Sequence, residues 1–265
     1  MSSLPEYEQA NLRMVERRSL AAGFAKQIEL TTGPVLDVPF AEASVIDIGC
    51  GYGHAAAELA RTCARVVGIE PNQALARHAH ELSQQQNFEF RQQSIDELED
   101  VDTFDVGVMD NVLEHIEDQR EALRRLSRCL KPGGVAFILV PNKLWPIEVH
   151  YQLPFLSYLP LPLANRYLQI SGRGHDYRDA SYAPSYRRLR RLLAERPELD
   201  ARLTVPADIS LAERGSSSAY KLGITLLQRF PQLWMISKAF LVIAKKRRLV
   251  GAVPRELDES DVWQD

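Results

Sequence analysis

A glycine-rich segment follows the first strongly apolar run of the chain. The run is Val45-Ile46-Asp47-Ile48, and Gly49, Gly51 and Gly53 come directly after it. Glycines allow a ligand to approach the backbone closely, and open α/β sheets bind nucleotides at the carboxyl ends of their strands. The segment therefore predicts a nucleotide-type site, with a purely structural turn as the alternative.

The spacing of these glycines argues against a dinucleotide. The dinucleotide fingerprint GxGxxG needs a glycine three residues after Gly51, and His54 occupies that position. The pattern is GxGxG, which disfavours a nicotinamide-dependent dehydrogenase.

Glu70 is the second candidate, at the end of the next predicted strand and 17 residues after Gly53. A carboxylate at this place can accept hydrogen bonds from both hydroxyls of a ribose. The alternative is an exposed charge at a strand end.

The elements that must position these residues alternate along the chain. We predict strands at Val45–Ile48, Val66–Ile69, Phe88–Arg91, Asp105–Met109 and Val135–Val140, and helices at His54–Thr62, Gln73–Gln85 and Asp118–Leu130. Strands that alternate with helices indicate a doubly wound parallel α/β sheet. Helical spacing of apolar residues from Pro5 to Leu30 predicts one or two helices before the sheet.

The alternation stops after Pro141. Five prolines between Pro141 and Pro162, together with several aromatic residues, predict a structured lid or insertion without regular helix or strand. The remaining predicted elements are a helix at Ser185–Glu195, a strand at Leu203–Val205, a loop at Gly215–Ser218, a strand at Phe240–Ala244 and a frayed acidic tail after Pro254.

Five segments in order carry a family resemblance. They are VIDIGCGYG, VVGIEPN, FRQQSIDEL, FDVGVMDNVLEHIED and LKPGG, and they lie between about Ala43 and Asn142. Together they resemble the class I S-adenosylmethionine-dependent methyltransferases. The resemblance implies a Rossmann-like, mostly parallel seven-stranded sheet with an antiparallel last strand, and S-adenosylmethionine as cofactor.

The resemblance also implies how the cofactor is held. The glycine loop contacts the methionine part and is ordered by Asp47, Glu70 holds the ribose, and Asp110 and Asn111 lie near the methionine end. The residues assigned to the cofactor are Asp47, Gly49, Cys50, Gly51, Gly53, Glu70, Pro71, Ser94, Ile95, Asp110 and Asn111.

The DNVLEHI segment is similar to a motif of small-molecule methyltransferases, including the quinone-biosynthesis O-methyltransferases. Some of these carry a further acidic residue at the position of Asn111, in a motif proposed to hold a divalent metal. Glu114 and His115 supply at most two ligands from this segment, so we predict no metal site, with Glu114 as a capping charge and His115 as a packing residue. An Asn-Pro-Pro-aromatic signature does not follow the fourth strand, which disfavours methylation of DNA bases or protein glutamine.

The resemblance implies that segments outside the common core choose the acceptor. His150 and His175 are candidate general bases for a hydroxyl acceptor, because a neutral imidazole titrates near pH 7 and each lies close to a carboxylate, Glu148 or Asp176. The alternative for each is a hydrogen-bonded structural histidine. The aromatic residues nearby either form the walls of an acceptor pocket or pack the insertion onto the sheet.

The predicted function is methyl transfer to a small molecule, at a hydroxyl of a sugar, glycolipid or quinone-like acceptor. A looser likeness of the proline-aromatic stretch to methyltransferases of polysaccharide and glycolipid biosynthesis favours a sugar hydroxyl. The alternatives are a non-catalytic cofactor-binding scaffold and an RNA methyltransferase. Basic runs at 187–191 and 245–248 either face solvent or meet phosphate on a lipid-linked acceptor, a membrane surface or RNA. We expect no nucleic-acid partner and no obligate protein partner.

Composition limits the class of protein to which the chain can belong. The 265 residues carry a formal charge of −3 and are 45% hydrophobic, which excludes a disordered chain. Cys50, Cys63 and Cys129 form no CxxC pair, and the first twenty residues contain no apolar signal segment, so we expect a cytoplasmic protein. The expected parts are a helical cap (1–42), the cofactor-binding core (43–142), the acceptor-site insertion (143–184), the rest of the α/β domain (185–250) and a tail (251–265).

Overall fold

The computed structural model describes residues 18–84, 87–212 and 217–248. The strands are β1 (Ser44–Ile48), β2 (Arg65–Ile69), β3 (Phe88–Arg91), β4 (Phe104–Asp110), β5 (Leu130–Pro141), β6 (Leu199–Thr204) and β7 (Ala239–Lys246). The helices are α1 (Arg18–Thr32), α2 (His54–Leu59), α3 (Gln73–Leu82), α4 (Gln119–Cys129), α5 (Leu161–Ile170), α6 (Tyr186–Ala194) and α7 (Ser218–Arg229).

The strands form one sheet in the order β3-β2-β1-β4-β5-β7-β6. The first five strands are parallel to one another, whereas β7 runs antiparallel between β5 and β6. The predicted Rossmann-like sheet with an antiparallel last strand is therefore confirmed. Because the chain leaves β1 toward β2 and later returns to β4 on the other side, the ends of β1 and β4 form a topological switch point, where such sheets bind ligands.

The sheet is buried on both faces. Alternate residues of β1 enter different clusters: Ile46 and Ile48 pack with Leu123 and Leu126 of α4, whereas Val45 packs with Leu59 of α2. Burial on both faces explains why the sequences of β1, β2 and β4 are predominantly apolar and do not alternate between apolar and polar residues.

Side-chain caps fix where the helices begin. The side chain of Asn72 accepts a hydrogen bond from the backbone N–H of Ala74 at 3.0 Å before α3, and that of Asp118 accepts one from Glu121 at 3.0 Å before α4. Such caps satisfy backbone donors that the first helical turn leaves without partners.

The segment 143–184 after β5 has a small apolar core of its own. Leu156, Leu168, Tyr151 and Tyr177 are buried in it. The segment also contacts the loop after β4, because the backbone N–H of Tyr182 donates to the carbonyl of Glu114 at 3.1 Å. This contact brings the segment to the predicted binding edge of the sheet.

Several predicted elements differ from the structure. The irregular stretch contains the regular helix α5, the helix α7 was not predicted, β6 occupies 199–204 rather than 203–205, and β5 begins at Leu130, so that the LKPGG turn is part of it. The predicted N-terminal helix up to residue 17, residues 215–216 of the Gly-Ser loop and the tail lie outside the described residues. Within the described ranges, every helix is too short or too polar to cross a membrane.

Candidate functional site

The glycine loop after β1 adopts backbone conformations that need glycine. The φ angles are +67° at Gly49, +55° at Gly51 and +78° at Gly53. A Cβ atom on Gly49 would lie 2.6 Å from Cγ2 of Val112, in the loop after β4. Gly49 therefore lets the loops after β1 and β4 pack directly against each other.

Glu70 connects the end of β2 to this loop. Its Oε2 accepts a hydrogen bond from the backbone N–H of Gly51 at 3.1 Å, and its Oε1 accepts one from Asn72 at 2.9 Å. Burial raises the pKa of Glu70, and the two backbone donors partly oppose that effect. Each carboxylate oxygen has a further lone pair, so this geometry is compatible with hydrogen bonds from a ribose.

Two more acids lie at the same edge. Burial, with the nearby charges of Asp110 and Glu70, raises the pKa of Asp47 to about 8. Burial raises the pKa of Asp110 to about 7, although the side chain of Asn111 donates to it at 2.8 Å. A ligand with cationic groups would favour the ionised forms of these acids, because opposite charges stabilise each other strongly where water is excluded.

Three further residues assigned to the cofactor lie just after strands. Pro71 follows β2, and Ser94 and Ile95 follow β3. Ile95 is buried and Pro71 is exposed, and the backbone N–H of Ser94 donates to Glu97 Oε2 at 2.8 Å. Burial raises the pKa of the Cys50 thiol, so that it stays protonated. Cys50 thus contributes packing and backbone conformation rather than a thiolate.

Beyond Asp110, a buried carboxyl group meets two histidines. Glu114 Oε1 lies 3.7 Å from Nε2 of His150 and 3.9 Å from Nε2 of His115. The two imidazole rings are 5.1 Å apart. We call Glu114, His115 and His150 the Glu114 cluster.

Glu148 fixes the orientation of His150. Its Oε1 is 2.8 Å from His150 Nδ1, and its Oε2 accepts hydrogen bonds from the backbone N–H groups of His150 at 2.8 Å and of Tyr151 at 2.6 Å. On the other ring, Nδ1 of His115 contacts the carbonyl oxygen of Asp179. Both histidines therefore direct Nε2 toward Glu114.

Burial shifts the pKa values of Glu114 and His115 in opposite directions. Burial raises the pKa of Glu114 well above its usual value, with the charges of Asp110 and Glu148 acting in the same direction. Burial, together with a charge on His150, lowers the pKa of His115 to about 4. The imidazole of His115 is thus neutral at physiological pH.

The second candidate base, His175, is exposed in the segment 143–184 and is not part of the Glu114 cluster. Sequence reasoning treated Glu114 and His115 as capping and packing residues and did not connect them with His150. The only signal in the sequence is that a glutamate lies within two residues of a histidine in both segments. The contact itself depends on the fold of the segment 143–184.

The basic run 245–248 begins inside β7, because the strand extends to Lys246 and does not end at Ala244 as predicted. Three of its side chains form internal ion pairs. Lys245 lies 2.8 Å from Asp37, Arg248 lies 2.8 Å from the same carboxylate, and Lys246 lies 2.8 Å from Asp102. These contacts tie β7 to its neighbours and reduce the charge offered to a polyanion.

Comparison with known proteins identifies the family. Residues 18–196 match a family model described as a methyltransferase domain. The chain belongs to this family. It is a class I S-adenosylmethionine-dependent methyltransferase domain, as the sequence predicts, and its cofactor is S-adenosylmethionine.

Curated relatives of this methyltransferase domain include two ubiquinone biosynthesis O-methyltransferases. The protein from Xanthomonas oryzae is 34% identical over 107 residues, covering 39% of this chain and 45% of that protein. The protein from Bradyrhizobium diazoefficiens is 31% identical over 103 residues, covering 38% and 41%. The chain therefore matches less than half the length of these relatives.

A solved structure shares the fold along almost the whole chain. It is the plantazolicin methyltransferase BpumL in complex with SAH, with a TM-score of 0.60, 16% sequence identity and coverage of 93% of this chain and 92% of that one. At this identity the likeness concerns the architecture.

Proposed function

We propose that the protein transfers the methyl group of S-adenosylmethionine to a hydroxyl group of a small molecule. The observation that carries this proposal is that the segment 143–184 presents His150 to the loop after β4, beside the edge where the cofactor is expected. The names of the curated relatives, which are O-methyltransferases, support oxygen as the methylated atom.

The cofactor site of the proposal uses the residues assigned from the sequence. The glycine loop 49–53 gives the methionine part close access to the backbone, and Glu70 accepts hydrogen bonds from the ribose. Asp47 and Asp110 provide a negative environment for the methionine end. Pro71, Ser94 and Ile95 flank the adenine. BpumL, a protein of the same fold, was crystallised with SAH, which supports an adenosyl cofactor for this fold.

The reaction needs positioning and the removal of one proton. The acceptor oxygen bonds to the methyl carbon as the carbon–sulfur bond breaks, and the electron pair stays on sulfur, which becomes a neutral thioether. The hydroxyl proton must leave the oxygen. His150, held by Glu148, is the residue to which we assign the removal of this proton, which passes from the imidazole to water.

The segment 143–184 also supports an acceptor with an apolar part. It exposes large apolar side chains, which are Leu144, Ile147, Phe155, Tyr158, Leu163 and Ile170. A sugar or quinone-like head with a lipid tail would use the head at His150 and lay its tail along these side chains. The proposal therefore favours a lipid-linked acceptor at a membrane surface over a free polar sugar.

The test is production of S-adenosylhomocysteine from S-adenosylmethionine with a panel of hydroxyl acceptors, each with and without a lipid tail. We expect turnover with at least one class, and His150→Ala should lower kcat by about 10²-fold or more with nearly unchanged cofactor affinity. His175→Ala is the matched control and should keep its turnover.

Two outcomes would overturn the proposal. Cofactor binding without turnover on any acceptor would favour a non-catalytic scaffold. Turnover on RNA, with binding that falls steeply as salt rises, would favour an RNA methyltransferase. The internal ion pairs of Lys245, Lys246 and Arg248 argue against the second outcome.

A further inference from the structure

The Glu114 cluster contains a buried carboxyl group to which no described residue gives a hydrogen bond. Glu114 has no exposed surface. Among the residues that the structure describes, neither of its carboxylate oxygens has a hydrogen-bond partner. A buried polar group without a partner costs free energy, and a buried charge costs more, unless an opposite charge compensates for it.

The groups that face Glu114 are nitrogen donors in the arrangement of metal ligands. One ligand atom from each of Glu114, His115 and His150 can be chosen so that all three lie within 4.8 Å of one another. The distances from Glu114 Oε1 to the two Nε2 atoms are 3.7 and 3.9 Å. Bonds of about 2.0–2.2 Å to one cation place tetrahedral ligands roughly 3.3–3.5 Å apart, so a small contraction would complete the site.

The hydrogen bonds at the Nδ1 atoms of the two histidines are also typical of metal ligands. A carbonyl oxygen, that of Asp179, accepts from Nδ1–H of His115, and the Glu148 carboxylate accepts from Nδ1–H of His150. These partners place the proton on Nδ1 and the lone pair on Nε2. Metal-binding histidines almost always donate their second ring N–H to a carbonyl or a carboxylate in this way.

We propose that Glu114, His115 and His150 bind one divalent cation of the zinc class. Two imidazole nitrogens and one carboxylate oxygen suit Zn²⁺ and Co²⁺ better than Mg²⁺ or Ca²⁺, which prefer all-oxygen ligands. Three protein ligands leave at least one coordination position for a further oxygen.

This set of three ligands differs from the two ligands that the DNVLEHI segment offers in the sequence. The DNVLEHI segment alone supplies Glu114 and His115, and Asn111 stands where some quinone-biosynthesis enzymes have a further acid. The third ligand comes instead from the segment 143–184, through His150. The cation would therefore connect this segment to the loop after β4.

The role of the cation in the reaction rests on the proposed function. A bound divalent cation lowers the pKa of a hydroxyl group that coordinates it, so the proton can leave to water before methyl transfer. His150 would then activate the acceptor as a metal ligand. Cation binding itself can be measured without cofactor and without acceptor.

The experiment is titration of the untagged, metal-free full chain with Co²⁺, followed by its visible absorption, and with Zn²⁺ in competition. We expect one cation per chain. Glu114→Gln and His150→Gln should each weaken binding by more than about 100-fold, because a change in the residues behind the ligands alone costs about 10–100-fold. Glu148→Gln should weaken Co²⁺ binding by only about 10–100-fold.

His175→Ala is the control and should bind Co²⁺ like the unchanged protein. Thermal unfolding of each metal-free variant shows that it is folded, and Glu114→Gln should unfold at the same temperature as the parent chain or higher. Absence of stoichiometric Co²⁺ binding, or Glu114→Gln binding as tightly as the parent, would overturn the proposal. Cation binding without methyl transfer would contradict the proposed function and leave the metal site intact.

Discussion

Glu70 connects the cofactor edge of β2 to the glycine loop and is the residue whose charge we expect to matter most for binding. Glu70→Gln keeps the shape of the side chain but removes the charge. It should weaken S-adenosylhomocysteine binding by about 1–3 kcal/mol, since hydrogen bonds to a charged acceptor contribute about that much. Calorimetric titration measures the change. Equal affinity of the variant and the parent would contradict the assignment of the ribose to Glu70.

Asp47 makes stability depend on pH. Burial raises its pKa to about 8 from an ordinary value of 3.8, so the folded state binds more protons than the unfolded state between these values. Stability is therefore fully present at low pH and is lost as the pH rises through the folded-state pKa. Between pH ~5 and ~7, the titration of Asp47 should lower the free energy of unfolding by about 1.4 kcal/mol for each unit that the pH rises.

Urea unfolding of the cofactor-free protein at several pH values tests this expectation. Asp47→Asn cannot ionise and should lose less stability between pH ~5 and ~8 than the parent chain. Asp96→Asn, which changes an exposed carboxyl group, should keep the parent slope. If Asp47→Asn shows the parent slope as well, Asp47 does not carry the linkage.

At the scale of residues, sequence reasoning predicted the placement of those residues whose surroundings follow from backbone position. Gly49 and Glu70 stand at the ends of strands that the apolar runs define, so their neighbourhood follows from strand order. The contact between Glu114 and His150 does not follow from strand order. It depends on how a segment without a repeating apolar pattern folds back on the loop after β4.

At the scale of elements, the helix α5 shows why the segment 143–184 was difficult to predict. Pro160 and Pro162 suggest an interruption, yet Pro160 precedes the helix and Pro162 lies in its first turn. Proline is tolerated there because the first backbone N–H groups of a helix have no partner within it. The same residues that suggested an irregular segment therefore begin a regular helix.

Leu168 should control the stability of the segment 143–184 separately from the sheet. It is completely buried in the core of that segment, whereas Leu163 on the same helix is 55% exposed. Leu168→Ala should destabilise the segment by about 2–5 kcal/mol, as truncation of buried leucines does. Faster amide hydrogen exchange in 143–184, with β1 and β4 still protected, is the expected result.

Leu163→Ala is the matched control and should leave exchange nearly unchanged. Because the segment supplies His150, Leu168→Ala should also weaken Co²⁺ binding under the metal proposal. Equal acceleration of exchange in β1, β4 and the segment would show that the segment does not unfold as a separate unit.

At the scale of the whole molecule, the sheet and its cofactor edge followed from the sequence because both faces are buried and the central strands are predominantly apolar. The fold of the segment 143–184 did not follow from the sequence, because its shape depends on contacts between segments far apart in sequence. The same division applies to ligands. The edge of the sheet predicts the cofactor class, whereas our proposals assign the acceptor and the cation to the segment 143–184.

Thermal unfolding with added ligands tests the cofactor class on the intact molecule. A ligand that binds only the folded state stabilises it by about 2.7 kcal/mol at a concentration 100 times its Kd. S-adenosylmethionine and S-adenosylhomocysteine should therefore raise the Tm by several degrees. NAD should not, because His54 occupies the third glycine position of the dinucleotide fingerprint. Glu70→Gln should need more S-adenosylhomocysteine for the same shift. A shift with NAD and none with the adenosyl compounds would contradict the cofactor assignment, because the edge formed by β1, β2 and β4 would then bind a dinucleotide.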